Sequence, residues 1–173
     1  MTELNPTNFF AEIEGSSEIV YDYFTNHIQN AENLEWINIF EFDAIPLKKE
    51  IWINEPILNL VNQKFPIFGC AILRVNPNST YDLHVDEERG VCINMLLSLD
   101  HFSKCCFHED GAVVTLDYKK YKFYLFNNQK LHMVENFEKP RYLFSIKFVD
   151  NKHKLNYNTV YNWMVESKLV VTK

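Results

Sequence analysis

From Pro66 onward the apolar positions of this chain fall into short runs that alternate with polar ones, the period of strands rather than helices. The run IFGCAILRV predicts a strand over 67–75, closed by the turn Asn76-Pro77-Asn78-Ser79. Further strands are expected over 81–85, 91–99, 112–116, 121–126, 132–134 and 141–149. Turn residues separate them: Glu87-Glu88-Arg89-Gly90, Glu109-Asp110-Gly111, Asn127-Asn128 and Glu138-Lys139-Pro140. Many short strands at this spacing predict a mainly β fold with flanking helices, a double-stranded β-helix of the jelly-roll, cupin-like kind.

The first third reads differently. Residues 2–12 suggest a short helix behind Asn5-Pro6-Thr7, docked by Phe9 and Phe10. After Gly15-Ser16-Ser17, Val20, Tyr23, Phe24, His27 and Ile28 recur at helical spacing, which predicts an amphipathic helix over 18–31 with His27 as a packing residue. LEWINIFEF predicts a strand over 34–42, interrupted by Pro46-Leu47-Lys48-Lys49. A helix over 54–63 places Pro56 in its first turn and turns Ile57, Leu58 and Val61 inward. A last helix over 159–169 turns Val160, Trp163 and Met164 inward. With no repeat or linker, the expectation is one domain: support over 1–65, jelly-roll core over 66–149, C-terminal helix in 150–173.

Composition narrows the function. Hydrophobic residues are 47% of the 173, enough for a sizeable core and too many for a disordered tail. The net charge is −6 and Arg74, Arg89 and Arg141 are scattered, which argues against a nucleic-acid groove but leaves room for one small anion. Cys70, Cys92, Cys105 and Cys106 match neither a disulfide framework nor a CxxC pattern, so buried thiols in a reducing compartment are expected. The acidic, interrupted N-terminus resembles no signal peptide or membrane anchor, so a soluble cytoplasmic protein is the expectation, its oligomeric state unread.

The candidate chemistry centres on His84-Val85-Asp86. On an extended strand, alternate side chains share a face, so an imidazole and a carboxylate point together. His132, opening a later strand, is the best third ligand. Two histidines and one carboxylate on one side of a metal ion leave its other side open, as in non-haem Fe(II) oxygenases. Arg141 follows across the turn that ends in Pro140, and the spacing predicts adjacent antiparallel strands for His132 and Arg141. Arg141, Leu143, Ser145 and Lys147 share one strand face; Tyr142, Phe144, Ile146 and Phe148 make an apolar one that should pack under the helices. A guanidinium beside a metal suits the distal carboxylate of a keto diacid. Arg89 either caps its turn or reaches substrate. His101 and His108 flank Cys105-Cys106 in a segment read as a loop, without zinc spacing, and are assigned structural or substrate-facing roles; His153, beside Lys152 and Lys154, is expected at the surface.

The order HVD, His132, Arg141 resembles the Fe(II)/2-oxoglutarate-dependent oxygenases, and within them the aspartyl/asparaginyl β-hydroxylase-like branch. FNNQKLHMV is similar to that branch's approach to its second histidine, RYLFSIKFV to its Arg-led final core strand, and RGVCINMLL to its cosubstrate-lining strand. The resemblance spans 66–149; some members lack the acid of the trio, which here is present as Asp86. It implies Fe(II) on His84, Asp86 and His132, the distal carboxylate of 2-oxoglutarate on Arg141, and Asn94 as a polar contact in that pocket. It further implies a dioxygenase that uses O2 to hydroxylate a small molecule or an Asp/Asn-type side chain, releasing succinate and CO2. Two other readings stay open: a non-catalytic jelly-roll module binding a ligand or metal, and a cupin-type metalloenzyme whose Arg141 binds substrate directly. The loops that would specify substrate, 41–55 and 100–111, carry no recognisable code.

Overall fold

The structure, a computed structural model, describes residues 5–98 and 103–171. Its strands are β1 (Phe10–Glu12), β2 (Ile37–Ile39), β3 (Phe42–Leu47), β4 (Ile67–Val75), β5 (Ser79–His84), β6 (Cys92–Leu96), β7 (Ser103–Glu109), β8 (Ala112–Thr115), β9 (Tyr124–Phe126), β10 (His132–Asn136) and β11 (Arg141–Phe148). The helices are α1 (Ile19–His27), α2 (Lys49–Trp52), α3 (Pro56–Lys64) and α4 (Tyr157–Glu166). A seven-stranded sheet runs β1-β9-β6-β11-β4-β3-β2 and a four-stranded sheet runs β5-β10-β7-β8. From β4 onward the chain passes back and forth between the two sheets, and every pairing is antiparallel. This is the double-stranded β-helix expected from the alternation.

Two cores hold it. The larger lies between the seven-stranded sheet and the helices, where Ile72, Ile93, Met95, Phe144 and Ile146 meet Val20 and Phe24 of α1, Leu58 and Val61 of α3, and Val160 and Met164 of α4. The face of β11 read as apolar is the one packed there. A smaller core gathers Phe9, Phe107, Tyr124, Phe126 and Val134. Phe9, Phe107 and Phe144 are fully buried, and each such side chain contributes about 1.5–3 kcal/mol through removal from water. Among the described residues no helix is long and apolar enough to cross a membrane.

Several expectations need correction. Of the helix expected over 2–12, residues 2–4 lie outside the described residues; over the rest a 3-10 turn at Pro6–Asn8, capped by Asn5, leads into β1, because Phe10 through Glu12 find a strand partner in β9. The strand expected over 34–42 is a hairpin: Phe40 turns the chain at φ 54°, and β3 runs on through Pro46. That proline is tolerated because β2 pairs no further than Ala44, which leaves Pro46 with an open edge on one side. The segment 100–111 was expected to be a loop, yet from Ser103 it forms β7, paired with β10 and β8. Its continuous KCCFH run lacks alternation because Cys105, Cys106 and Phe107 are all buried. The strands of His132 and Arg141 are not neighbours: β10 pairs with β5 and β7, β11 with β4 and β6. His27 is exposed against Tyr23 rather than packed in the core, since α1 turns Val20 and Phe24 inward.

Candidate metal centre

β5 ends on His84 and β10 begins on His132, and the two are Cα partners. The His84 Nδ1–H donates to the Asp82 carbonyl (2.6 Å) and the His132 Nδ1–H to the Lys130 carbonyl (2.8 Å). A carbonyl can only accept, so each ring is left with its Nε2 lone pair as the free ligand atom. Asp86 lies two residues beyond the strand, its N–H donating to the Asn128 carbonyl (3.0 Å). Asp86 Oδ1 then sits 3.3 Å from His84 Nε2 and 3.9 Å from His132 Nε2. One ligand atom from each of the three lies within 4.8 Å of the others. The His84 Nε2 is buried without a hydrogen-bond partner, an orphan that a metal ion would satisfy.

The second carboxylate oxygen of Asp86 is already committed. Oδ2 accepts from Arg89 through Nε (2.6 Å) and Nη2 (2.6 Å), and from Asn128 Nδ2 (2.9 Å). Arg89 also reaches the Ser145 hydroxyl with Nη1 at 3.5 Å. These contacts aim Oδ1 alone at the space between the imidazoles. Burial pulls His132 down to about 4, helped by the charge on His84, so its ring is neutral at neutral pH. Burial also pulls on His84, but the nearby carboxylate of Asp86 and the Asp82 carbonyl outweigh it and raise its pKa. Burial would raise Asp86, yet His84, Arg89 and His132 together hold it below the usual carboxylate range. A divalent cation takes neutral imidazoles with an ionised carboxylate; His132 and Asp86 are already in that state, and the ion would displace the proton that Asp86 favours on His84.

Across the interior stands the other sheet's contribution. Arg141, the first residue of β11, is 4% exposed and its Nε has no hydrogen-bond partner. Its guanidinium lies 5.7 Å from the ring centroid of Tyr118, whose hydroxyl is likewise buried and unpartnered, with Asn94 beside it. Asn94 also accepts from the Cys92 thiol (3.4 Å). Arg141, Tyr118, Asn94 and Asn128 line one cavity with His132. Leaving buried donors unmatched costs about 1–3 kcal/mol for each group, more for charged ones, and an anion bound there would repay it.

The structure therefore brings together all five residues singled out from sequence: His84, Asp86 and His132 in one cluster, Arg141 and Asn94 on the wall facing it. Arg89, undecided between turn cap and substrate contact, is turned onto Asp86. Asn128 and Tyr118 were missed; Asn128 was legible only as a turn residue, and no local pattern marks Tyr118. His108 is half-buried on β7 and His153 is exposed. His101 lies outside the described residues. Cys70, Cys92, Cys105 and Cys106 are buried free thiols, as expected.

No protein-family model matches this chain, and no curated protein matches it in sequence. Solved structures do share the fold. A prolyl-4-hydroxylase from Pseudomonas putida superposes with a TM-score of 0.61 at 14% identity, over 84% of this chain and 95% of that one. HygX from Streptomyces hygroscopicus, solved with nickel, 2-oxoglutarate and hygromycin B bound, gives 0.58 at 12% identity, over 79% and 81%. An oxidoreductase of the 2OG-Fe(II) oxygenase family from Burkholderia pseudomallei gives 0.51 at 13% identity, over 72% and 75%. The chain is thus similar in fold to 2-oxoglutarate-dependent oxygenases.

Proposed function

We propose that this protein is an Fe(II)- and 2-oxoglutarate-dependent dioxygenase that hydroxylates a small molecule or an exposed side chain. The reaction joins substrate, 2-oxoglutarate and O2 to give hydroxylated substrate, succinate and CO2. The observation that carries the reading is a pairing: three converging ligand atoms, one an orphaned imidazole nitrogen, faced across one cavity by a buried, under-satisfied arginine. The neighbours in fold support it, HygX with nickel and 2-oxoglutarate bound among them. The finer kinship to the aspartyl/asparaginyl β-hydroxylase-like branch rests on the FNNQKLHMV, RYLFSIKFV and RGVCINMLL motifs.

His84, Asp86 and His132 would hold the ferrous ion. Bound together, that ion and the keto acid supply the O2 activation, which no side chain here performs. The chain's own part is positioning. The Asp82 and Lys130 carbonyls fix the two imidazole tautomers, while Arg89 and Asn128 hold Asp86 to one ligating oxygen. Arg141, with Tyr118 and Asn94 beside it, would receive the far carboxylate of 2-oxoglutarate. Phe126, Val134 and Leu143 help line the cavity and keep water from it.

The test is anaerobic addition of 2-oxoglutarate to the Fe(II)-loaded protein. A weak visible charge-transfer band and metal-dependent succinate release in air are expected, both lost in His84→Ala. A protein that loads iron yet shows neither belongs to the non-catalytic alternative.

A further inference from the structure

The sheet face that carries Arg141 continues past the edge of the four-stranded sheet. Register sets Ile37, Ala44, Leu73 and Leu143 in one row across β2, β3, β4 and β11. The next row is Pro46, Ala71, Ser145 and Asn94, and beyond it Gly69 pairs with Lys147. Directly opposed residues of antiparallel strands project to the same side, so these rows share the face of Arg141. At the covered end Val75, opposite Arg141, is buried; toward the other end Ala71 and Gly69 are only half-buried, and Ile37 is 53% exposed. The uncovered part is a trough of about 470 Å³, walled by Ile37, Ile39 and Phe42, and reaching Asp86 and Arg89. Arg89 and Ser145 line both this trough and the Arg141 cavity, so the two adjoin beside Asp86.

Gly69 adds to the open volume of the trough. Glycine inside a strand weakens it, and is kept where the backbone bulges or needs a left-handed turn, where packing leaves no room, or where a ligand approaches. Gly69 has no left-handed φ, and a Cβ built on it would meet nothing within 4 Å. It stands at the register shift of the β4–β11 ladder, where Lys147 pairs with Gly69 and Phe148 with Ile67, and that bulge accounts for it; its missing side chain also leaves open space in the trough.

We infer that the uncovered half of this face is the substrate subsite, and that the substrate is an apolar small molecule. The inference rests on the dioxygenase reading and names the substrate class for that same site. A trough of this size is in the range of small-molecule sites, about 300–1,000 Å³. Of the charges at its rim, Lys147 is paired with Glu88 (2.8 Å) and Arg89 with Asp86, and Glu87 is exposed to solvent. A sugar or zwitterion would lose hydration along these walls without replacing it, whereas an apolar body gains by burial. Its polar end, if it has one, would lie toward Arg89 and Ser145.

Nile red, a neutral apolar fluorophore, tests this on protein loaded with nickel and 2-oxoglutarate. Saturable one-to-one binding is expected, at least about tenfold weaker in Gly69→Leu and in Ala71→Leu. Both variants should keep the parent's 2-oxoglutarate affinity, which shows that they are folded. A parent that binds 2-oxoglutarate but not Nile red, or variants that bind the dye as tightly as the parent, overturns the subsite while sparing the function. A parent that binds no 2-oxoglutarate overturns both. A dimer dispersed by Ile39→Glu assigns the face to a second copy and overturns the inference. So does a succinate-release screen stimulated by sugars or free amino acids but not by apolar ring compounds.

Discussion

His84 and His132 are directly opposed across the β5–β10 pair, with ring centroids 4.3 Å apart. Residues so opposed project to the same face, and a one-residue slip would send one imidazole to the other side. The metal centre is therefore a property of register. Asp86, just past the strand end, is held by Arg89 and Asn128 with Oδ1 turned toward both rings.

Arg141→Ala should weaken 2-oxoglutarate binding by about 2–5 kcal/mol, the usual cost of truncating one partner of a buried charge pair. Metal affinity should stay near the parent's, because Arg141 touches none of the three ligands. Calorimetry on nickel-loaded protein reads both quantities. An unaltered affinity for the keto acid would remove Arg141 from the cosubstrate site.

The clamp on Asp86 Oδ2 makes a separate prediction. Arg89→Gln and Asn128→Ala each remove part of that grip, and loss of such outer contacts typically lowers metal affinity about 10–100-fold. Arg89→Lys should recover part of the loss, since an ammonium keeps the charge but not the two-nitrogen grip. Competition against a chromogenic chelator measures it. Parent-like affinity in Arg89→Gln would show that Asp86 needs no such support.

Gly90 ties the HVD turn to the C-terminal segment. A Cβ at Gly90 would run into the Leu155 carbonyl and the backbone at Lys152 and Asn156, while the Lys152 N–H donates to the Glu88 carbonyl (2.8 Å). Backbone cannot give way as a flexible side chain can. Gly90→Ala should cost about 1–3 kcal/mol, as overpacking does, and should weaken metal binding by shifting Arg89. Urea unfolding and metal titration of this variant should therefore move together; a stability loss with metal affinity intact would uncouple the turn from the site.

Glu55, 1% exposed, precedes α3 without bonding its end, and its carboxylate instead accepts from the Val20 N–H in the first turn of α1 (2.9 Å) and from the Ser17 hydroxyl. Burial raises its pKa, against the opposing pull of the Val20 and Ile19 N–H groups. A folded-state pKa above the unfolded value near 4.5 means that the protonated form is the better tolerated one inside. Its contribution to stability is full below that unfolded value and fades as pH rises through the folded one. Relative to Glu55→Gln, the parent should gain stability as pH falls from neutral toward 4.5. Parallel urea curves across that range, with a constant gap, would contradict the assignment.

Much of this was legible in the chain itself. Period-two alternation in RYLFSIKF separated the helix-packed face of β11 from the face that carries Arg141, and HVD placed two ligands together, because both relations are local consequences of strand geometry. Other relations were not local. KCCFH read as a loop because a strand buried on both faces loses its alternation, and Pro46 read as a break because sequence does not tell where a neighbouring strand stops. His132 and Arg141 stand on facing sheets although their spacing suggested adjacent strands; which sheet a strand joins depends on partners distant in the chain.

The same limit explains Arg89, Asn128 and Tyr118. Their types are ordinary for turns and loops, and only closure of the two sheets buries them against Asp86 and Arg141. Sequence alone determined the fold class, the three metal-ligand candidates and the arginine, since each follows from residue type and strand period. Tertiary structure decided which atoms converge, which oxygen of Asp86 stays free and where the inner face lies open, since those depend on register and on contacts between segments far apart in the chain.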